Sequence, residues 1–508
     1  MNRSHKGQNE LGSSKGANSL PEIRNSLMEA ERLRLAGKLD TAQTICSKLI
    51  SHYPDYVAAL HTLGLIYSDR GQHQEAVEYL ARAAMYAPSN WNILTALGGA
   101  YLSVGATEMA EFTLERAKAI NPTEATIYAT LGELHREQQD YEMAVHAFQR
   151  ACELDPRLSA ARSGLGLTLI HLGKLSEAAK ALQKAISEGP PNLNALFALA
   201  SLPSNLVDLD VIAIAIHALK PSSTPKQDAK IAFVRAAALN QRQSYAEAWS
   251  EFINANRIIY RETEAAWKRQ REHDLDFLQR IKSSPVVPPP ESNIQREDPM
   301  ALFFLGPPRS GKTTAELLVS TIAGVKRGFE SFIVEKSVRR SFQGAALPPL
   351  EQLTDLPSGL EESFRTQFLK QLRSSAKECP VFTITHPARL LDAMRLAIIL
   401  PSAKFVMVER DVDDVTVRIF MKMFSKGHPY AYNLNSIKDY VHWYYSVMNA
   451  LREKLPGRTC LIKYEQLIDD PYEVRGELAG FCGLPPSEGP IPELGNDSGC
   501  AKLYHRHI

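Results

Sequence analysis

The residues best suited to chemistry are Gly306, Arg309, Ser310, Gly311, Lys312, Thr313 and Thr314, which directly follow the apolar run 301–305. The two glycines let the backbone curl so that several N–H groups point inward. The stretch Ala315-Glu316-Leu317-Leu318-Val319 reads as a helix, whose N-terminus adds partial positive charge. Thr313 and Thr314 supply hydroxyls, and Arg309 and Lys312 supply fixed cations. Such a set cradles a phosphate-like oxyanion and stabilises charge that develops during group transfer.

Three further segments hold reactive side chains. Residues 403–418 read as a buried strand ending in charge and then a helix, with Arg410 at the strand's carboxyl end and Arg418 further on. Asp411 and Asp414 are expected to cap that helix. Residues 325–331 contain Arg327 and Glu330. A carboxylate such as Glu330 suits removal of a proton from a hydroxyl nucleophile, and its alternative is a solvated loop glutamate. Residues 460–471 contain Tyr464 and Glu465, with Pro471 opening a helix. Glu465 is expected to be a buried, paired carboxylate. His428 is expected to be structural, with acceptor-side acid–base work as the alternative. The aromatics Trp443, Tyr444 and Tyr445 are expected in the core.

The elements that position these groups follow from pattern. Short apolar runs at 301–305, 381–385, 404–408 and 459–463 alternate with helical stretches. This predicts an α/β domain with a mostly parallel sheet, the glycine loop lying at the carboxyl ends of its strands. Upstream, residues 283–292 form a Pro/Ser-rich linker. The N-terminal half repeats every 34 residues: Gly64, Gly98, Gly132 and Gly166, then Ala76, Ala110, Ala144 and Ala178, then Ala83, Ala117, Ala151 and Ala185. Pro54, Pro88, Pro122, Pro156 and Pro190 close successive units. Tyr67, Tyr101, His135 and Leu169 share one large-residue position. This period resembles the tetratricopeptide repeat, an all-α solenoid of helix pairs. A weaker unit spans 23–56, with Ala42 in register and Gly37 at its turn. Ala248, Phe252 and Ala255 occupy repeat-like positions later on. The expected organisation is a disordered polar N-terminus (1–22), tetratricopeptide repeats (23–192), degenerate helical repeats or a cap (193–282), a Pro-rich linker (283–299) and the α/β domain (300–508).

Bulk composition narrows the partners. Lys and Arg number 58 against 57 Asp and Glu, so net charge gives no reason to expect nucleic acid or an anionic membrane. The six cysteines are scattered without a Cys-x-x-Cys pair, which predicts small buried side chains and no zinc site. The first 20 residues lack an apolar core, and no run reaches the ~18 apolar residues of a membrane helix. A cytoplasmic protein is expected.

The four segments, taken in chain order across residues 300–486, resemble the sulfotransferases, and with the repeats upstream the chain resembles tetratricopeptide-repeat sulfotransferases, bacterial relatives of the protein-tyrosine enzymes. Pro-Arg-Ser-Gly-x-Thr matches their phosphosulfate loop, Arg410 their 3′-phosphate arginine, and Tyr464-Glu-x-Leu-x-x-Asp-Pro their later signature. Gly427-His428-Pro-Tyr-Ala-Tyr432-Asn433 matches the bacterial group. The resemblance implies sulfuryl transfer from 3′-phosphoadenosine 5′-phosphosulfate to a hydroxyl of a peptide tyrosine, glycan or small molecule. It implies that Arg309, Ser310, Gly311, Lys312, Thr313 and Thr314 hold the 5′ end and Arg410 with Arg418 the 3′-phosphate. Glu330 would be the base, Lys312 a catalytic cation, and no metal is needed. The repeats would recruit a protein or peptide. Departures are Lys312 for threonine, Arg418 for serine, Ile384-Thr385-His386-Pro387 for Asp-Lys-x-Pro, and only Arg506 from the start of a basic Gly-Arg/Lys-Trp loop. Two alternatives stand beside it. Gly-x4-Gly-Lys-Thr also satisfies the P-loop of ATP-dependent hydrolases and kinases, with Glu409 or Asp411 as acidic partner. The altered positions also suit an inactive scaffold that binds proteins through its repeats.

Overall fold

The computed structural model describes residues 20–138, 140–189, 192–219, 224–288, 298–328, 331, 333–342, 359–385, 389–424, 427–492, 494 and 500–504. Its contacts divide the chain into two compact units, Met1–Ala195 and Leu196–Ile508.

The first unit is built from antiparallel helix pairs. Leu20–Leu35 with Leu39–His52 comes first, then Val57–Asp69 with His73–Tyr86 and Trp91–Ser103 with Thr107–Ile120. Ala125–Glu137 with Tyr141–Leu154 and Ser159–His171 with Leu175–Glu188 follow. The in-register glycines explain how closely each pair packs. A Cβ built at Gly98 would lie 2.6 Å from the Leu114 side chain, and one at Gly132 would lie 2.7 Å from the Phe148 ring. The in-register alanines Ala76, Ala110, Ala144 and Ala178 are fully buried beside them. Tyr67 stacks on Tyr79 with ring centroids 5.3 Å apart, so its large-residue position fills the gap beside the small ones.

The second unit begins with helices and ends as a three-layer α/β fold. Pro225–Gln241 starts where the Thr224 side chain accepts from the Gln227 N–H and Pro225 occupies the first turn. It packs on the long Tyr245–Ser283 helix, in which Ala248, Phe252 and Ala255 are buried. These helices, expected to close the repeat array, group by contact with the sheet-containing unit.

Five parallel strands follow, in the order β2-β3-β1-β4-β5. They are β1 (Met300–Leu305), β2 (Val325–Lys326), β3 (Val381–Ile384), β4 (Lys404–Glu409) and β5 (Thr459–Lys463). Four were expected. β2, two residues on the sheet edge, has no apolar run to announce it. β1 is central, paired in register with β3 on one side and β4 on the other. All six of its residues are buried because helices cover both faces. Ala301, Phe303 and Leu305 join a core with residues of the Leu360–Ala376, Arg389–Ile399 and Leu434–Lys454 helices. Met300, Leu302 and Phe304 join another with Lys312–Val319 and Pro471–Cys482. Arg458 sits fully inside, donating to the carbonyls of Ala397 at 2.6 Å, Leu400 at 2.8 Å and Ala403 at 2.9 Å. That guanidinium ties the helix before β4 to the turn before β5 and satisfies otherwise orphaned helix-end carbonyls. Cys46, Cys460 and Cys482 are buried, and Cys152 and Cys379 partly so. Among the described residues no helix is long and apolar enough to cross a membrane.

Candidate functional site

The glycine loop leaves β1 at its carboxyl end, flanked by the ends of β3 and β4. Its shape is set by two left-handed residues, Arg309 at φ 68° and Gly311 at φ 97°. Gly311 caps the Lys312–Val319 helix and, as a glycine, lends no side chain to its first N–H groups. Only glycine fits there. A Cβ would meet the Tyr464 ring at 2.1 Å as well as carry the positive φ. Gly306 is as confined, since its Cβ would lie 2.4 Å from Ser310 Oγ. The Ser310 hydroxyl therefore folds over Gly306 inside the loop. It is fully buried, and its Oγ has no hydrogen-bond partner. Thr385 Oγ1, just beyond β3, is likewise buried and unpartnered.

The cations differ in their engagement. The Lys312 ammonium turns back on its own loop and donates to the Pro307 carbonyl at 2.9 Å and to Gly306 O. Arg309 and Thr313 are exposed and Thr314 is partly buried. Arg410 is buried at the end of β4. Its Nε donates to Asp414 Oδ2 at 2.6 Å, and its guanidinium lies 3.9 Å from the centroid of the Tyr464 ring. Arg418 reaches the same Asp414 oxygen at 3.3 Å. Asp414 thus bridges the two arginines instead of capping the helix. Asp411 does the capping, its Oδ1 accepting from the Asp414 N–H at 2.9 Å. Glu465, expected buried, is exposed. Its Oε1 accepts from the Asp411 N–H at 3.0 Å, an interaction that needs only the carboxylate's tip at the surface.

The sequence reading placed the aromatics in the core without the roles the structure gives them. The Tyr444 hydroxyl accepts from the Gly306 N–H at 3.1 Å, and burial pushes its pKa well above the ordinary value, so it stays a neutral acceptor. The Tyr445 hydroxyl holds both backbone groups of Arg410, accepting from N–H at 3.0 Å and donating to the carbonyl at 2.7 Å. A run of aromatics gave no signal for contacts made 35 and more residues away. His428 Nδ1 lies 3.0 Å from the Tyr430 hydroxyl, and burial lowers its pKa toward the neutral form.

Arg327 pairs with Glu316, Nε to Oε2 at 3.2 Å, and Glu316 is buried. The same carboxylate accepts from Thr383 Oγ1 at 2.6 Å, and that hydroxyl accepts from the Gly328 N–H at 3.0 Å. This network fastens the segment after β2 to the helix after the loop. Glu330, His386, Pro387 and Arg506 lie outside the described residues. Among the described residues no group of His, Cys, Asp and Glu is arranged to hold a metal ion.

With this geometry in place, comparison with known proteins is decisive for family. Residues 301–488 match the sulfotransferase family, and residues 67–134 and 130–192 match tetratricopeptide-repeat families. The chain carries a sulfotransferase-family domain in its C-terminal part and tetratricopeptide repeats in its N-terminal part. An uncharacterized protein of Aquifex aeolicus (strain VF5) is 24% identical over 340 residues, which is 64% of this chain and 44% of that protein. BBSome complex member BBS4 of Bos taurus is 38% identical over 64 residues, 13% of this chain and 12% of that protein. The chain therefore spans less than half the length of these curated relatives. Among solved structures, a thermophilic repeat protein of Thermus thermophilus has 22% identity and a TM-score of 0.32, covering 34% of this chain and 94% of that one. MamA from Desulfovibrio magneticus RS-1 has 20% identity and a TM-score of 0.28, covering 33% and 94%.

Proposed function

We propose that the sulfotransferase-family domain moves a sulfuryl group from 3′-phosphoadenosine 5′-phosphosulfate to a hydroxyl acceptor. The observation that supports this most directly is the buried Ser310 hydroxyl, which lacks a partner inside a loop that ends at an uncapped helix N-terminus. A buried polar atom without a partner is costly unless a ligand completes it. A phosphosulfate fits this loop. Its 5′ end would lie on the N–H groups of Ser310 to Thr314, with Arg309 and Lys312 beside it. Its 3′-phosphate would meet Arg410 and Arg418, which Asp414 holds side by side.

The acceptor oxygen bonds to sulfur as the bond between sulfur and the bridging phosphate oxygen breaks. The acceptor proton goes to the Glu330 carboxylate, and the charge left on the phosphate is stabilised by Arg309 and Lys312. The Glu316–Thr383–Gly328 network supports this assignment, since it anchors the segment leading to Glu330. In the same reading, residues 23–192 recruit a protein or peptide, 193–282 and 283–299 serve as cap and linker, and the acceptor is a peptide tyrosine, glycan or small molecule. The compartment is the cytoplasm.

Calorimetric titration with adenosine 3′,5′-bisphosphate, against ATP with Mg²⁺, tests the donor site. Binding of the bisphosphate in preference is the expected result. Preference for Mg-ATP would transfer Lys312 and Thr313 to a hydrolase, and binding of neither would favour a scaffold. Glu330→Gln is expected to cut turnover by ~10²–10⁴ while sparing bisphosphate affinity, whereas Lys312→Ala weakens both. Unchanged turnover in Glu330→Gln would remove that residue as base.

A further inference from the structure

Tyr444 and Tyr445 are adjacent in sequence yet hold two different strand ends. Gly306 and Arg410 are the first residues past β1 and β4, where each chain leaves its ladder and the backbone groups need new partners. The Tyr444 hydroxyl accepts from the Gly306 N–H at 3.1 Å. The Tyr445 hydroxyl accepts from the Arg410 N–H at 3.0 Å and donates to the Arg410 carbonyl at 2.7 Å. Burial raises the pKa of both phenols, so each keeps its proton.

Neighbouring side chains on a helix diverge by about 100°, which lets one short stretch of the Leu434–Lys454 helix reach both ends. That helix is itself fixed, because Val447, Met448 and Leu451 share a core with Leu305 of β1 and Met407 of β4. The two ends it holds also meet directly, Arg410 Nη1 donating to the Arg309 carbonyl at 3.4 Å.

We propose that Tyr444 and Tyr445 are positioning residues for the sulfate donor, Tyr444 for the loop at its 5′ end and Tyr445 for the arginine at its 3′-phosphate. The proposal rests on the donor-site reading above and adds what sets the distance between the two ends. Each phenol acts through the backbone it holds. Gly306 opens the loop, so fixing its N–H fixes where the loop begins. The Arg410 side chain leaves from a residue whose N–H and carbonyl are both held by one hydroxyl, so its guanidinium starts from a set point.

The test is calorimetric titration of the full chain, wild type, Tyr444→Phe and Tyr445→Phe, with two probes. Adenosine 3′,5′-bisphosphate carries both ends, and adenosine 5′-phosphosulfate lacks the 3′-phosphate. Tyr445→Phe is expected to lose about 10-fold in affinity for the bisphosphate and to bind the 5′-phosphosulfate as wild type does, since losing the order of Arg410 costs about one hydrogen bond. Tyr444→Phe is expected to lose about 10-fold for both probes, which share the 5′ end. A general weakening of the fold would lower both affinities in both variants and cannot produce this split. Should Tyr444→Phe fail to fold, because it strips a partner from a buried loop, the two titrations of Tyr445→Phe decide the proposal alone. Unchanged bisphosphate affinity in Tyr445→Phe, or equal losses for the two probes, overturns it while the donor site stands. Wild type that binds the bisphosphate and not the 5′-phosphosulfate overturns the division into two ends. Wild type that binds neither overturns the proposal together with the donor site.

Discussion

One carboxylate, Asp414, joins the two arginines at the end of β4. Because it bridges Arg410 and Arg418, both guanidiniums are oriented before any ligand arrives. Arg410 was legible in the sequence because it ends an apolar strand. The bridge was not. An aspartate in the first turn of a helix suits capping as well as an (i, i+4) ion pair, and only coordinates separate the two. Asp274 is the opposite case, a carboxylate that no lysine or arginine pairs with among the described residues. It is buried in the Tyr245–Ser283 helix, Oδ2 has no hydrogen-bond partner, and burial raises its pKa from 3.8 to about 6. The folded state therefore holds the proton more tightly than the unfolded chain. Stability falls as pH rises from about 4 to about 6 and stays reduced above that. Asp274→Asn is expected to be more stable by about 1–3 kcal/mol at pH 7.5 and no more stable than wild type at pH 4. Thermal melts at the two pH values decide it, and a stabilisation that persists at pH 4 would mean the effect is not titration.

At the scale of elements, the repeat pairs are held by shape. Phe148 fills the space beside two glycines, Gly132 on its own partner helix and Gly164 on the next, where Cβ atoms would lie 2.7 Å and 2.4 Å from its ring. Gly132→Val is expected to destabilise the protein by about 1–3 kcal/mol through overpacking. Adding Phe148→Leu should recover part of that loss, measured by melting monitored by circular dichroism. Failure of the second substitution to recover any would show that the cost lies in the helix backbone. Helix positions in this half were readable because small residues recur in phase. In the other half the four longer strands were readable as apolar runs, β1, β3 and β4 buried on both faces and β5 on alternate residues, and β2 was missed because two residues cannot show a pattern. The Glu316–Thr383–Gly328 network was out of reach for a different reason, since it joins residues up to 67 apart that share no motif.

For the whole molecule, two compact units with separate cores predict unfolding that is not two-state. Calorimetry should give a van't Hoff enthalpy below the calorimetric one. Equality of the two would mean the units melt as one cooperative block. The sequence showed that there are two architectures. It did not show which side the helices of 196–282 take, because Ala248, Phe252 and Ala255 continue the repeat's spacing inside a helix of 39 residues. Periodicity reports which faces are apolar but not against which neighbour they are buried.

The glycines of the array lead to one more consequence. Gly64, Gly98, Gly132 and Gly166 each receive a side chain 16 residues later, from Leu80, Leu114, Phe148 and Leu182. Every such match is completed inside one 34-residue period, so each unit brings its own lock and key. Duplication or loss of a whole unit leaves these within-unit matches intact, whereas a change of other length between a glycine and the residue that fills it parts the two. The reach of this array is therefore a counted quantity, open to inheritance in whole steps and closed to gradual lengthening.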